Sequence, residues 1–114
     1  MKAHLQPKQK PWFTWKGRFL MGPRYLRFLE AVDKSGTIRA AGQEVGWSYR
    51  TCLNRLREME RVLGSKVLET KRGGASRGGA RLTPAARRLV KLFASWRGAA
   101  TRSSDAAFRR LSRR

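Results

Sequence analysis

Two short helical patterns joined by a tight turn occupy residues 37–56, and their spacing constrains the fold more than any other feature of the chain. Thr37 and Ser48 each precede one of these patterns, and both residue types favour the N-cap position. The first pattern ends at Gly46 after about two turns. The second carries an apolar stripe at helical spacing, formed by Tyr49, Cys52, Leu53, Leu56 and Met59.

Two interpretations fit this pattern. A helix-turn-helix unit places its second helix in the DNA major groove, whereas an ordinary helical hairpin buries both helices in a small bundle. The small residues Ala40, Ala41 and Gly42 suit either structure, because they let the two helices cross closely. The pattern by itself leaves both open, and the surrounding chain decides between them.

The distribution of charge favours a polyanionic partner. The 114-residue chain is long enough for one domain and carries a net charge of +20. Residues 1–22 contain five basic side chains and no acid, residues 23–70 contain nine basic and six acidic ones, and residues 71–114 contain thirteen basic ones and one acid. The middle is therefore a nearly balanced folded unit between basic segments that suit phosphate groups.

Residues with catalytic or metal-binding chemistry are scarce. The single cysteine, Cys52, excludes an internal disulfide and a multi-cysteine zinc site, and the lone histidine, His4, has no candidate metal ligands nearby in sequence. There is no paired-carboxylate, Cys/His or Ser/His/Asp arrangement, so we expect no enzymatic activity and no cofactor. No apolar run approaches the ~18 residues of a membrane span, and no signal-peptide core is present. We therefore expect a soluble, cytoplasmic protein.

The segment before the first helix predicts a small hairpin. Residues 1–11 are polar and basic, and we expect them to be disordered. Aromatic and apolar residues around Lys16-Gly17 predict strands near 12–15 and 18–21. The interleaved aromatic and lysine side chains suit stacking on nucleic-acid bases, but packing onto the first helix is the favoured use.

A second hairpin and a last helix follow the helix-turn-helix pattern. Strands predicted at 66–70 and 80–82 enclose the glycine-rich loop 72–79, which lacks the phosphate-loop arrangement. Its Gly-Gly steps beside arginine are also typical of RNA-binding segments. Thr83 is expected to cap a helix that runs to about Ala100.

These elements together predict a mainly α fold with small β-hairpins, namely a winged helix-turn-helix. Its trihelical core is completed by a helix that begins at Pro23, where the missing N–H costs nothing, and runs to about Ser35. The predicted domain spans residues 12–100 and includes the N-terminal hairpin, the Gly-rich wing and the C-terminal helix. The disordered N-terminus, 1–11, precedes it, and an Arg-rich tail, 101–114, follows it as a mobile segment or one that becomes helical only on a partner.

Residues 22–97 resemble the winged helix-turn-helix domain of LysR-type regulators. The shared pattern comprises Phe28-Leu29-Glu30-Ala31-Val32, Ser35-Gly36-Thr37-Ile38, Ala40-Ala41, Leu56 and Leu63-Gly64. The N-terminal domain of the molybdate-responsive ModE repressors is still more similar, through Gly46-Trp47-Ser48-Tyr49-Arg50, the long wing 73–83 and the first hairpin. The resemblance implies DNA binding as a homodimer, with the second helix of the unit in the major groove.

The chain departs from these repressors in two places. Leu53 stands where they usually carry tryptophan, and Cys52 precedes it in place of alanine, so the resemblance does not carry over an operator sequence. The chain also ends shortly after the helix that should lead into the oxyanion-binding domain. We therefore carry over no molybdate site and expect no small-molecule effector.

Candidate contact residues fall into three groups. Arginine pairs with guanine and asparagine with adenine, so the exposed start of the second helix is expected to read bases through Ser48, Tyr49, Arg50, Thr51, Asn54 and Arg55. Backbone and wing contacts are expected from Thr37, Arg39, Lys71, Arg72, Arg77 and Arg81. A homodimer interface is expected on the last helix at Leu89, Leu92, Phe93 and Trp96. In the alternative, Leu89 and Phe93 close the trihelical core and leave Trp96 at an exposed end.

The leading hypothesis is a sequence-specific transcriptional regulator that binds double-stranded DNA. The alternative is a basic protein that associates with the nucleoid or with RNA and has little sequence preference. A protein-interaction module that uses the winged surface is a third. Competition by unrelated DNA and by RNA separates the first two.

Overall fold

The computed structural model describes residues 4–71 and 79–113. Strands β1 (Phe13–Trp15) and β2 (Arg18–Met21) form the N-terminal hairpin, and strands β3 (Leu68–Lys71) and β4 (Gly79–Leu82) form a second one. The helices are α1 (Pro23–Ser35), α2 (Ile38–Val45), α3 (Tyr49–Leu63) and α4 (Pro84–Ser112).

The predicted helix-turn-helix unit is confirmed, and its ends are set by local chemistry. The Thr37 hydroxyl accepts a hydrogen bond from the Ala40 N–H at 3.1 Å, and the Ser48 hydroxyl accepts one from the Thr51 N–H at 3.1 Å. Gly46 ends α2 in the left-handed conformation, with φ of 75°, which a residue with a Cβ atom adopts at a cost. The two helices are therefore begun and separated by the residues that the sequence suggested.

Close crossing of α2 and α3 depends on Gly42. A Cβ atom at this position would lie 2.5 Å from the Cys52 sulfur and 2.9 Å from the Trp47 carbonyl oxygen. The Cys52 side chain is completely buried at this crossing, and burial raises the pKa of its thiol, so it packs as a small apolar group.

The core lies among α1, α2 and α3 and is closed by β2 and α4. Its largest fully buried side chains include Phe28, Leu29 and Val32 from α1 and Met59 from α3. Met21 of β2 and Phe93 of α4 are buried against them. Because each helix contributes one apolar stripe, the three predicted helices form one continuous core.

The two hairpins differ in how their ends are held. In the first, Lys16 and Gly17 form a two-residue turn with positive φ angles between antiparallel strands. In the second, the predicted strand 66–70 begins two residues late. The Val67 N–H donates to the Glu60 carboxylate of α3 at 2.9 Å, so this N–H is used outside the hairpin, although the Val67 carbonyl still accepts from the Thr83 N–H at 3.0 Å.

The last helix is longer than expected. It does not end near Ala100 but continues as one helix to Ser112, so the predicted end of this helix was wrong. A single Gly98 costs only about 1 kcal/mol relative to alanine, and the Ala- and Arg-rich sequence after it favours a helix. None of the helices in the described part of the chain is long and apolar enough to cross a membrane.

Candidate nucleic-acid interface

The N-terminal half of α3 presents two polar side chains without partners. Arg50 and Asn54 are both exposed, and neither takes part in a hydrogen bond or ion pair among residues 4–71 and 79–113. They stand four positions apart and therefore lie on the same face of the helix, one turn from each other. This face is therefore free to form hydrogen bonds with a partner molecule that presents donors and acceptors.

The residues around this pair hold the start of the helix. The Ser48 hydroxyl, besides capping α3, donates to the Thr51 hydroxyl at 3.0 Å, so both hydroxyls are already engaged. Tyr49 is half exposed, and the Arg39 guanidinium lies 4.5 Å from the centroid of its ring. Thr37, expected to touch the DNA backbone, also caps α2, as the sequence suggested. In the structure, Tyr49, which was expected to read bases, therefore contacts Arg39, which was expected to contact the DNA backbone.

Arg55 turns toward the flank of α3 that carries the N-terminal hairpin. Its guanidinium lies 6.0 Å from the centroid of the Trp47 ring, and that of Arg24 lies 5.7 Å from the same centroid. The Arg24 Nε also donates to the Val45 carbonyl at 2.9 Å, at the end of α2. Sequence reasoning missed Arg24, because no local pattern shows that the start of α1 meets the turn between α2 and α3.

The wing lies at the other end of α1, where the Ala80 N–H donates to the Gly36 carbonyl at 2.7 Å, and this region is called the wing flank. Arg81 of β4 faces Glu69 of β3 in register, and its Nε lies 3.0 Å from the carboxylate. Lys71 is the last residue of β3. Arg72 and Arg77, the other expected wing contacts, lie outside the described residues.

The expected dimer face of α4 divides into a buried part and an exposed part. Phe93 is completely buried and packs edge-on against Phe13 at 4.8 Å between ring centroids, so it lies in the core, as the alternative interpretation has it. Leu89 is partly buried against the core. Leu92 and Trp96 are 60% and 40% exposed and stand one turn apart. Only this last pair is open to a partner.

Aromatic residues of the first hairpin also divide in two. The Phe19 ring packs edge-on against Tyr25 of α1 at 5.3 Å, as expected, whereas Phe13 packs on α4 instead. Trp12 and Trp15 remain 57% and 43% exposed. The preference for packing therefore holds for only some of these rings.

A trihelical core with a helix-turn-helix unit and a following β-hairpin defines a winged helix-turn-helix domain. The family described as "Bacterial regulatory helix-turn-helix protein, lysR family" matches residues 23–87, which is more than half of the chain. The chain belongs to this LysR family of bacterial helix-turn-helix regulators, which confirms the resemblance seen in its sequence.

Curated relatives extend this result. The chain is 36% identical over 73 residues to the molybdenum-pterin-binding protein MopB of Rhodobacter capsulatus, which covers 64% of this chain and 27% of that protein. It is 36% identical over 74 residues to the molybdenum transport protein ModE of Herbaspirillum seropedicae, with 65% and 26% covered. It is 31% identical over 71 residues to the DNA-binding transcriptional dual regulator ModE of Escherichia coli K12, with 62% and 27% covered. The chain therefore spans about a quarter of the length of these relatives.

A solved structure is similar over nearly its whole length. The crystal structure of a CbnR_DBD–DNA complex superposes with a TM-score of 0.58 at 26% sequence identity, covering 80% of this chain and 97% of that one. The predicted fold class is confirmed by this similarity.

Proposed function

We propose that the chain is a DNA-binding transcriptional regulator that places α3 in the major groove of the bacterial chromosome. The observation that carries the proposal is the exposed pair Arg50 and Asn54, one turn apart on α3 and without partners among the described residues. The membership in the LysR family and the similarity to a DNA-bound domain support it. The net charge of +20 supplies a long-range attraction to phosphate groups.

Base reading in this proposal is divided between two side chains. An arginine donates two hydrogen bonds to guanine O6 and N7, and an asparagine pairs with adenine N6 and N7, each worth roughly 1–3 kcal/mol against a wrong base. Arg50 and Asn54 take these roles, while the Ser48–Thr51 hydrogen bonds hold the helix start that carries them. Tyr49, stacked under Arg39, contributes a rigid edge beside them.

The test begins with selection of bound sequences from a random duplex library by the whole chain. Affinity for the selected duplex should fall linearly with the logarithm of salt concentration, with a slope near ~−5 if about six phosphates are contacted. Arg50→Ala and Asn54→Ala should reduce the discrimination between selected and random duplex by roughly 1–3 kcal/mol each. Arg81→Ala in the wing should weaken both duplexes equally.

Two outcomes contradict the proposal. A salt slope near zero excludes DNA as the partner. If both α3 variants lose the same affinity for the selected and the random duplex, or if RNA competes as well as DNA, the alternative holds and the chain is a basic protein without sequence preference.

We propose further that the chain binds DNA as a homodimer through α4. A single recognition helix contacts only a few base pairs, whereas a two-fold dimer reads two half-sites about one helical turn apart. Leu92 and Trp96 offer an exposed apolar pair on α4 for such an interface. Because two chains of +20 repel, association should strengthen when DNA neutralises them.

Sedimentation with and without the selected duplex tests the dimer. Leu92→Glu and Trp96→Glu should convert a two-chain complex into a one-chain complex. Thr101→Glu is the matched control, since it stands two and a half turns from Leu92 on the opposite face of α4 and is also exposed. A one-chain complex in the unaltered protein contradicts the interface.

A further inference from the structure

An open cleft of about 510 Å³ lies beside α3, on the flank that carries the N-terminal hairpin. Its walls are the segment before β1, strand β2, the start of α1, the turn between α2 and α3, and single side chains of α3 and α4. Five cations line it: Lys10, Arg24, Arg27, Arg55 and Arg97. No acidic side chain is among the residues that line it in the described part of the chain.

The charges in this cleft are not compensated by carboxylates. The ion pairs of the described residues join Arg18, Arg61, Arg81 and Arg87 to acids, and none of these four lines the cleft. Arg24 and Arg27 donate to the carbonyls of α2 residues, which satisfies donors but leaves both positive charges in place. Five like charges around one cleft repel one another, so a bound anion would stabilise them.

The start of α1 adds to the preference for an anion. Its N-cap is Gly22, which lines the cleft and has no side chain to accept from the first N–H groups of the helix. The positive end of the helix dipole therefore faces the same space as the guanidinium groups.

The cleft also has apolar faces. Trp12 and Phe19 line it and are 57% and 47% exposed, and the buried Trp47 forms part of its wall. A free inorganic anion would leave these rings in water. A sugar–phosphate chain would cover them, because it alternates charged phosphates with apolar sugar faces.

The position of the cleft selects double-stranded DNA as the source of that chain. Arg55 belongs both to α3 and to the cleft, so the cleft opens directly beside the proposed reading helix. A helix in the major groove, which is about 12 Å wide, lies between two sugar–phosphate strands. The cleft beside this helix is therefore placed to meet one of these strands.

We propose that this cleft binds the sugar–phosphate backbone of duplex DNA beside α3, a proposal that rests on the proposed function. Arg55 then contacts backbone rather than reading a base. Lys10 and Arg97 approach the strand from the segment before β1 and from α4, and the Trp12 ring covers a sugar.

The first test is the salt dependence of binding to a mixed-sequence duplex. The double variant Lys10→Ala/Arg97→Ala removes two cations that make no hydrogen bond or ion pair among the described residues, so its fold should persist, as circular dichroism will check. The slope of log affinity against log salt should become shallower by about 0.9 for each lost phosphate contact. The affinity that the double variant loses, relative to the unaltered chain, should therefore be roughly tenfold larger per contact at about 0.1 M salt than at 1 M salt.

Arg88→Ala is the matched control for Arg97→Ala. Arg88 is exposed on the same helix, and its separation of nine positions from Arg97 places it on the opposite face. The control should leave the slope within the error of the unaltered chain. An unchanged slope in the double variant, or an equal change in Arg88→Ala, overturns the cleft proposal.

The second test follows the Trp12 ring. Duplex DNA should change the fluorescence of the unaltered chain more than that of Trp12→Phe, because the ring is covered only in the complex. Deoxynucleoside monophosphates at matched phosphate concentration should give no such difference. A full response to them, or no difference with duplex, overturns the proposal. Failure of the unaltered chain to bind any duplex instead refutes the proposed function itself.

Discussion

The hairpin flank and the wing flank both carry positive charge, but the charges are paired differently. On the wing flank, Arg81 is paired with Glu69 at 3.0 Å, and Arg87 at the start of α4 is paired with Asp33 at 3.2 Å. On the hairpin flank, Arg24 and its neighbours contact carbonyl groups and aromatic rings, and no described acid lines the cleft. A phosphate at Arg81 must displace a carboxylate, whereas a phosphate in the cleft need not, although outside the cleft Arg18 of β2 is paired with Glu58 of α3. The number of basic residues is therefore a poor guide to where DNA binds most strongly.

The flanks also differ in how they are held to the core. The hairpin flank is held by aromatic packing, with Phe13 against Phe93 and Trp96 and with Phe19 against Tyr25. The wing flank is held by the buried side chains of Val67, Leu68 and Leu82 and, in addition, by hydrogen bonds. The Ala80 N–H donates to the Gly36 carbonyl at 2.7 Å, and the Thr83 hydroxyl donates to the Lys66 carbonyl at 2.9 Å. Polar substitutions should therefore loosen the wing without disturbing the hairpin.

The largest expected effect comes from a substitution that disturbs both flanks at once. In Gly42→Ala, the added methyl group would meet the Cys52 sulfur at 2.5 Å and the Trp47 carbonyl oxygen at 2.9 Å. A backbone atom cannot move aside as a side chain can, so α2 and α3 must separate. We expect the free energy of unfolding to fall by roughly 3 kcal/mol, with loss of duplex binding at both flanks, measured by urea denaturation and titration.

Gly98→Ala is the control for this substitution. Its added Cβ would lie 3.3 Å from the end of the Arg102 side chain, which can rotate away. Alanine in a helix is favoured over glycine by about 1 kcal/mol, so this variant should be slightly more stable than the unaltered chain. If Gly42→Ala and Gly98→Ala lower the free energy of unfolding equally, the tight helix crossing at Gly42 does not hold the flanks in place.

A smaller effect is expected on the wing flank alone. Thr83 is buried, and its hydroxyl accepts from the Ala86 N–H at 3.2 Å while donating to the Lys66 carbonyl at 2.9 Å. Thr83→Ala removes both bonds and should lower the free energy of unfolding by about 2 kcal/mol. Hydrogen exchange should accelerate in β3 and β4 but not in β1 and β2. Thr83→Ser keeps the hydroxyl and should restore most of the loss, and equal exchange in both hairpins would contradict the division between the flanks.

The parts of this structure that the sequence predicts are those set by neighbouring residues. Thr37 and Ser48 cap their helices, and Gly46 ends α2, because each acts within one helical turn. The end of α4 was misjudged, since Gly98 weakens a helix without stopping it. The wing hairpin was expected, but its 3.0 Å ion pair between Glu69 and Arg81 depends on a register that a long loop leaves undefined.

The cleft on the hairpin flank lies beyond such reasoning. Its cations at positions 10, 24, 55 and 97 come from four distant segments, and only the tertiary fold brings them together. The same holds for the burial of Phe93. Its apolar stripe on α4 suits a core and an interface equally, and the contact with Phe13 decides between them.

The smallest expected effect tests whether the ion pair on the wing flank limits phosphate binding there. Glu69→Gln removes the carboxylate that pairs with Arg81 and leaves an amide of similar size. The pair is about half exposed, so the free energy of unfolding should change by no more than about 1 kcal/mol. The freed guanidinium should make the slope of log affinity against log salt steeper by at most about 0.9. Asp105→Asn makes the same change in net charge on the distal part of α4, where the described residues show no ion pair to that carboxylate. If Glu69→Gln steepens the slope and Asp105→Asn does not, pairing on the wing flank limits phosphate binding there. If the two variants behave alike, only net charge matters, and the distinction between a paired flank and an unpaired flank fails.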